Sequence, residues 1–326
     1  MQISIAMSSY NGAVYLPEQL ASIAAQTRLP DELIVCDDCS TDSTAAIVEE
    51  FARRAPMPVK LQINERNLGS NRNFERAIAS CTGDVIALSD QDDVWRSDKL
   101  HMIEDAFARA PDAGLVFSDA EIVDENLNSL GSRMWAEVGL NGAKRKLFEV
   151  GRSLDVLIPG WTVTGATMAF RSRYRDLILP IPDEIPMIHD GWIALAVAAV
   201  AGTTLIAEPL IKYRQHSRQQ VGAPQMKRQR PGPLQAIEAG LRRTISYADL
   251  RLTLTTLRQR LTAHQDSFDC RAAFFSIENY ARHIEARSNL QTGRLARLPT
   301  IFREVLGMRY HRYSNGFSSA LKDLVS

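Results

Sequence analysis

Residues 85–95 read VIALSDQDDVW, a short apolar run that ends in three carboxylates within four residues. An uninterrupted apolar run of this length is typical of a buried strand. Asp90, Asp92 and Asp93 repel one another, so the group costs free energy unless a cation or a well-solvated loop compensates for it. The stretch therefore predicts a buried strand with either a cation site or a solvated loop at its carboxyl end.

The first half of the chain alternates such runs with helical patterns. This alternation predicts an α/β fold in which helices flank a mostly parallel sheet. The predicted strands are Ile3–Met7, Leu33–Cys36, Val59–Ile63, Val85–Ser89 and Gly114–Ser118. The predicted helices are Tyr15–Gln26, Asp42–Arg54, Asn71–Ala79 and Ser97–Arg109, and the weaker pattern of 126–152 predicts a loop.

Four clusters of polar residues occur in the first part of the chain, at residues 8–12, 37–42, 67–69 and 90–93. The first, second and fourth come directly after a predicted strand. Sheets of this type bind ligands beyond the carboxyl ends of their strands, so the four clusters are expected to converge on one edge.

The charge is distributed unevenly along the 326 residues, of which 45% are apolar and 23% charged. Before Pro224 there are 21 Lys and Arg against 30 Asp and Glu, and from Pro224 onward 17 against 8. We expect a large domain over 1–222, a linker over 223–233 and a basic helical region over 234–326. The basic region indicates either an anionic partner or packing against the acidic domain.

Targeting and redox signals are weak. The first residues, MQISIAM, enter a strand pattern without a signal peptide, and no apolar stretch has the length of a membrane span, so a cytoplasmic chain is expected. Cys36 and Cys39 form a C-x-x-C, but the two aspartates between them disfavour a thiolate, which argues against redox or zinc chemistry. Four cysteines predict no disulfide framework.

An Asp-x-Asp at a strand end suits Mg²⁺ or Mn²⁺ held together with a diphosphate, although a solvated loop or a helix cap also explains it.

Seven motifs occur in a characteristic order, and only together are they specific. They are Ser9-Tyr10-Asn11-Gly12, VCDDCSTD at 35–42, Asn67-Leu68-Gly69, Asp90-Gln91-Asp92, GATM at 165–168, HDGW at 189–192 and YRQHS at 213–217.

This series resembles the family 2 glycosyltransferases, inverting enzymes with the GT-A fold, over about residues 1–222. The last motif and the wording Asp-Gln-Asp-Asp-x-Trp are similar to a rhamnosyltransferase subgroup. The resemblance implies Asp190 as general base, Asp92 as ligand of Mg²⁺ or Mn²⁺, and a nucleotide site formed by Ser9, Tyr10, Asn11, Asp37, Asp38, Gly69, Arg72 and Asp90.

Further candidates come from residue type and position. His216 is expected to complete the metal shell or to contact the leaving phosphate, and Arg214 and Arg218 flank it as phosphate donors. Trp95 and Trp192 are either platforms for sugar faces or core residues, and His189 adjoins the acceptor. The alternative role of Asp190 is to cap the apolar helix that follows it.

Three positions depart from the family pattern. Cys39 stands where a glycine is usual, and Phe74 and Glu75 stand where many relatives have Arg and Asn. Arg72 is expected to serve instead of the missing arginine.

The resulting prediction is an inverting, metal-dependent transferase that moves a sugar from a nucleoside diphosphate to a saccharide or lipid-linked acceptor in cell-surface polysaccharide synthesis. The donor implied by the subgroup is dTDP-L-rhamnose. Peripheral contact with the inner membrane face is expected through the basic C-terminal helices, with Arg242, Arg243 and Arg251 as the contacts, and oligomers remain open. The alternatives are a nucleotidyltransferase acting on sugar phosphates and a non-catalytic nucleotide-sugar-binding protein; a nucleic-acid binder is not expected.

Overall fold

The computed structural model describes residues 1–160, 162–217, 219, 246–314 and 316–325. Contacts divide the chain into two compact units. The first comprises Met1–Gly151, Trp161–Ile181 and Met187–Gln229, and the second comprises Arg152–Gly160, Pro182–Pro186 and Arg230–Ser326. The expected linker 223–233 and Arg218 lie outside the described residues, so the linker stays a prediction. Two short segments from the middle of the chain, 152–160 and 182–186, belong to the second unit, and the sequence pattern did not predict this.

The first unit alternates strands and helices as predicted. Its strands are β1 (Ile3–Ser9), β2 (Glu32–Asp37), β3 (Val59–Ile63), β4 (Val85–Ser89), β5 (Val94–Trp95), β6 (Ala113–Val123), β7 (Ser129–Arg133), β8 (Met168–Arg171) and β9 (Gly202–Arg214). Its helices are α1 (Leu16–Ala24), α2 (Thr44–Ala52), α3 (Ser70–Ser80), α4 (Lys99–Arg109), α5 (Met134–Glu137), α6 (Gly142–Glu149), α8 (Arg175–Ile178) and α9 (His189–Ala198).

These strands form one sheet in the order β3-β2-β1-β4-β8-β6-β9-β5, with β7 paired to β6. The neighbours β3, β2, β1 and β4 are parallel, as are β6 and β9, whereas β8 runs antiparallel to both β4 and β6. The carboxyl ends of β1, β2 and β4 therefore meet at one edge, which brings together the polar loops that follow them.

The central strands are apolar on both faces because helices cover the sheet. Ile3, Ile5 and Met7 of β1 are fully buried, and they share one cluster with Leu16 and Leu20 of α1. Burying side chains of this size contributes about 1.5–3 kcal/mol each.

The loop predicted for 126–152 is wrong, because β7, α5 and α6 lie within it. Trp135, Leu140 and Phe148 are buried and hold these elements against the sheet. The elements span only four to eight residues, which is too short for the periodicity of the sequence to reveal them.

The second unit is helical. It contains α7 (Leu154–Leu157), α10 (Tyr247–Ala263), α11 (Arg271–Ser288), α12 (Arg294–Leu306), α13 (Arg309–Tyr313) and α14 (Phe317–Val325). Within it, Ile301, Tyr310 and Ala320 form a small apolar cluster. Among the described residues, no helix combines the length and apolarity needed to cross a membrane.

Candidate active site

The acidic loop after β4 is largely withdrawn from solvent. Asp93 is fully buried, and Asp90 and Asp92 are half-buried. Burial, followed by the charges of Asp92 and Asp190, raises the pKa of Asp90 to about 7. Burial, followed by the charges of Asp92 and Asp90, holds the pKa of Asp93 well above its usual range. The loop is therefore not the well-solvated alternative, and burial destabilises the ionised form of its carboxylates.

A histidine from the far end of the unit's sequence meets this loop. His216 Nε2 lies 2.8 Å from Asp92 Oδ2, and the imidazole packs on the Tyr15 ring with centroids 4.5 Å apart. In an octahedral site with metal–ligand distances of about 2.1 Å, adjacent ligand atoms lie about 3 Å apart. The separation of His216 Nε2 and Asp92 Oδ2 therefore suits two ligands of one Mg²⁺ or Mn²⁺ ion. In the described part of the chain, no three His, Cys, Asp or Glu side chains are grouped for a metal ion. Phosphate oxygens of a substrate would have to supply the other ligands.

Arg214 holds the acidic loop in place from the end of β9. Its backbone N–H donates to Asp93 Oδ1 at 3.1 Å, and its Nε donates to the Asp92 carbonyl at 2.7 Å. Nη1 donates to the Glu125 carbonyl at 2.5 Å, and Nη2 pairs with the Glu18 carboxylate. The residue is 1% exposed. Its guanidinium is thus occupied by the protein, which disfavours the predicted role as a phosphate donor.

A buried lysine that the sequence did not single out lies beneath the acidic loop. Lys99 Nζ donates to the Ala166 carbonyl at 2.7 Å and lies 3.5 Å from the centroid of the Trp95 ring. Burial lowers the Lys99 pKa to about 7, against the opposing charges of Asp93 and Asp90. Lys99 therefore connects the acidic loop to the turn at 165–167.

The first loop contacts the acidic loop through Gln91. Its side chain accepts from the Tyr10 N–H at 2.9 Å and donates to the Tyr10 carbonyl at 3.0 Å. A Cβ at Gly12 would lie 2.1 Å from Gln91 Oε1, so only glycine allows this contact. Asn11 bonds to the second loop, accepting from the Thr41 N–H at 2.8 Å. The Tyr10 side chain remains exposed.

The aspartate pair at the carboxyl end of β2 is buried and fixes two loops. Asp37 accepts from Ser9 Oγ at 3.0 Å and from the Ser40 N–H at 2.8 Å. Asp38 accepts from the backbone N–H groups of Leu68 and Gly69 at 2.7 and 2.8 Å. These bonds give both carboxylates a positioning role, and their predicted contact with a nucleotide base stays a prediction.

Two buried asparagines, also missed in the sequence, connect these loops. Asn64 Nδ2 donates to Asp38 Oδ1 at 2.7 Å and to Asn73 Oδ1 at 2.9 Å. Asn73 Nδ2 donates to Ser8 Oγ and to the Cys36 carbonyl, both at 2.7 Å. The network joins the ends of β1 and β2 to α3.

Asp190 opens α9 and faces the acidic loop. Its Oδ1 accepts from the Gly191 N–H at 2.6 Å, and its Oδ2 accepts from the Gly165 N–H at 3.2 Å. Burial raises the Asp190 pKa to about 6, and its charge helps to raise the pKa of Asp90. Asp190 accepts from one N–H of the first turn, but it lies inside α9, whose N-cap is Ile188, and its charge acts on Asp90 of the acidic loop.

Contacts within the protein fix both the ring and the backbone of His189, the residue before Asp190. Its ring stacks on Phe74 with centroids 4.0 Å apart, and its backbone N–H donates to Asn71 Oδ1 at 2.8 Å. Burial lowers its pKa to about 3, so the imidazole is neutral. A Cβ on Gly165 would lie 2.9 Å from its Nε2, which explains the glycine there.

The structure decides between the two roles given for Trp95 and Trp192, and it leaves the expectation for Arg72 open. Trp192 is fully buried and donates through Nε1 to the Ile178 carbonyl at 2.8 Å, and Trp95 is 4% exposed. Neither indole exposes a face to a sugar, so the platform alternative is corrected to a core role for both. Arg72 remains partly exposed and pairs with Glu75 at 2.6 Å.

The matched family model agrees with the geometry. The model described as glycosyl transferase family 2 matches residues 4–178. The chain belongs to this family. An uncharacterized glycosyltransferase of Nostoc sp. is 30% identical over 220 residues, covering 66% of this chain and 65% of that protein. The dTDP-rhamnosyl transferase RfbG of Shigella flexneri is 34% identical over 125 residues, covering 37% of this chain and 40% of its own. The chain thus spans less than two thirds of these relatives.

A solved structure confirms the fold. TarS residues 1–349 of S. aureus, in complex with UDP-GlcNAc, align with a TM-score of 0.58 at 17% identity, covering 94% of this chain and 81% of that chain. At this identity the likeness establishes the architecture alone. The predicted GT-A fold with C-terminal helices is confirmed.

Proposed function

We propose that this glycosyltransferase moves a sugar from a nucleoside diphosphate to an acceptor hydroxyl with inversion at the anomeric carbon. One observation carries the proposal: the Asp190 charge acts on Asp90, while Asp92, in the same loop as Asp90, lies 2.8 Å from His216 of the segment after β9. A site with a base on one side and a cation-binding pair on the other is suited to a single displacement.

Asp92, His216 and Asp190 have separate roles in the proposed reaction. Asp92 and His216 would hold Mg²⁺ or Mn²⁺, which neutralises charge on a departing diphosphate. The acceptor oxygen bonds to the anomeric carbon as the bond from that carbon to the diphosphate oxygen breaks, and Asp190 takes the hydroxyl proton. A pKa of about 6 makes Asp190 a stronger base than an ordinary aspartate yet leaves it mostly ionised at neutral pH.

The finer assignments are also proposals. Similarity to a protein named dTDP-rhamnosyl transferase supports dTDP-L-rhamnose as the donor. Ser9, Tyr10, Asn11, Gly69 and Arg72 would border the nucleotide, because their loops converge beside the acidic loop. The acceptor would be a saccharide or lipid-linked saccharide of a surface polysaccharide, used at the cytoplasmic side of the membrane.

The test is a panel of nucleoside diphosphate sugars, measured for thermal stabilisation and for hydrolysis with Mn²⁺, with Mg²⁺ and with chelator. We expect one donor to stabilise the chain and to be hydrolysed only with the cation. Asp190→Asn should keep donor binding and lose transfer, whereas a non-catalytic sensor would show no turnover in either form. If no nucleoside diphosphate sugar binds with either cation, the proposal is wrong.

A further inference from the structure

Exposed apolar side chains are concentrated at the end of the second unit. Seventeen large apolar side chains are exposed in the described residues, and eight of them lie between 295 and 325. These eight are Leu295, Leu298, Phe302, Leu306, Met308, Phe317, Leu321 and Val325. Scattered single exposures are ordinary, but a concentration like this marks a binding surface. We propose that α12 and α14 form a docking surface for an anionic phospholipid membrane.

The spacing of these residues puts them on continuous stripes. In α12 the four exposed positions follow one another at intervals of three and four residues, which places them on one side of the helix. In α14, Phe317, Leu321 and Val325 repeat every four residues and do the same.

The two helices already bury their inner residues. Ile301 and Ala320 belong to the apolar cluster, and Val305 and Leu324 pack against it. Each helix therefore has a packed apolar side and a second, exposed apolar side next to it. Among the described residues of this unit, that second side is exposed.

The exposed charge of this surface is positive, although the formal net charge of the chain is zero. Arg294, Arg303 and Lys322 are exposed. The two acidic residues of 294–325, Glu304 and Asp323, are buried. Glu304 lies 2.8 Å from His283 Nδ1 and pairs with Arg309, and Asp323 pairs with Arg287 at 2.6 Å. The acids thus neutralise internal bases, and the exposed charge beside the apolar stripes is cationic.

This combination favours a lipid surface over a protein partner. Leu and Phe stripes flanked by Arg and Lys are typical of helices that lie in the plane of a membrane interface. Each basic residue near an anionic surface strengthens binding roughly fivefold. The expected contact through Arg251 is less suitable, because its Nη2 donates to Ser288 Oγ at 2.6 Å; Arg242 and Arg243 lie outside the described residues.

The experiment measures co-flotation of the full chain with two kinds of vesicle, phosphatidylcholine alone and equal parts phosphatidylcholine and phosphatidylglycerol. We expect binding to the anionic vesicles and much weaker binding to the neutral ones. Phe302→Ser combined with Phe317→Ser and Leu321→Ser should weaken binding at least tenfold, on the order expected for three lost apolar anchors. Arg294→Glu with Arg303→Glu and Lys322→Glu should weaken it at least as much.

Matched controls use exposed residues of the same types outside the surface. Phe275 is 61% exposed, and the Arg271 side chain is 90% exposed. Phe275→Ser and Arg271→Glu should leave vesicle binding within about twofold of the parent chain. All altered positions are exposed, and circular dichroism melting verifies that each variant folds.

Several results would overturn the inference. The parent chain could fail to bind anionic vesicles, or the surface variants could bind them as well as the parent does. The control variants could also lose as much vesicle binding as the surface variants. A parent that is dimeric by sedimentation, with monomeric surface variants and no vesicle binding, would show that a second copy covers the surface. Hydrolysis of a nucleotide sugar in solution tests the proposed function separately, because the surface variants should leave it unchanged.

Discussion

Replacing Asp190 by Asn should make the ligand-free protein more stable and inactive at the same time. The carboxylate is half-buried and accepts from the N–H groups of Gly165 and Gly191. Burial raises its pKa from 3.8 to about 6, so ionising it in the folded state is costly. Asn has nearly the same shape and carries no charge.

The size of the expected change in stability follows from the shift of the Asp190 pKa. Because the folded state holds the Asp190 proton more tightly, stability is greatest below pH 3.8 and is lost as the pH rises through about 6. A shift of roughly two units corresponds to about 3 kcal/mol at pH 7, as an upper limit for a carboxyl with some solvent contact. The Asn amide accepts only one of the two backbone bonds, which costs about 1 kcal/mol. The net gain at pH 7 is then about 2 kcal/mol, and the sign should reverse between about pH 4 and pH 5.

Thermal unfolding in chelator from pH 4 to pH 8 measures this effect. We expect Asp190→Asn to raise the Tm at pH 7 by roughly 4–8 °C and to lower it slightly at pH 4. Asp31→Asn is the control: despite some burial, the Ile3 N–H and Arg28 lower the Asp31 pKa, so its loss should destabilise at pH 7. A Tm change of Asp190→Asn that is independent of pH, or any remaining sugar transfer, would refute the reasoning.

Three other changes probe the site. Asp92→Asn with His216→Ala should weaken cation-dependent binding of a nucleoside diphosphate at least about tenfold in calorimetry, and unchanged Mn²⁺ dependence would rule out the pair as ligands. Lys99→Met should lower the free energy of unfolding by about 3–5 kcal/mol in urea, because it leaves buried carboxylates without their cation; a loss below about 1 kcal/mol would argue that Lys99 is uncharged. Trp192→Phe should cost about 1–3 kcal/mol through its lost hydrogen bond and volume, while a weaker donor affinity would contradict its core role.

The sheet and its functional edge could be predicted because both depend on local pattern. Val85–Ser89 was predicted with the bounds that β4 has in the structure. The loops after β1, β2 and β4 follow from the rule that parallel strands present their carboxyl ends together. The association of His216 with the metal ligand Asp92, 124 residues away, was expected from residue type and position, since no periodicity connects the two.

Residues that act through burial could not be predicted in this way. Lys99 looks like an ordinary surface residue at the start of a helix, and only the tertiary fold shows that its ammonium lies beneath Asp90 and Asp93. Arg214 lies in a motif associated with phosphate, yet its guanidinium holds the loop. Whether a charged side chain contacts ligand or protein depends on what surrounds it, and sequence spacing does not record this.

One departure from the family pattern has a local explanation. Cys39 occupies a position with φ of +62°. This left-handed conformation suits glycine and costs a side chain about 1–2 kcal/mol. Asp37, accepting from the Ser40 N–H on the far side of that turn, helps to hold the conformation.

The other departure connects the two sides of the site. Phe74 stacks on His189, and Glu75 accepts from the Ile181 N–H at 2.9 Å. Both side chains belong to α3, the helix that begins directly after the Gly69 loop, and His189 immediately precedes Asp190. α3 therefore links the Gly69 loop to the start of α9 through the Phe74–His189 stack. In this chain Phe74 and Glu75 connect α3 to His189 and to Ile181, and an Arg in place of Phe74 would leave His189 without its stacking partner.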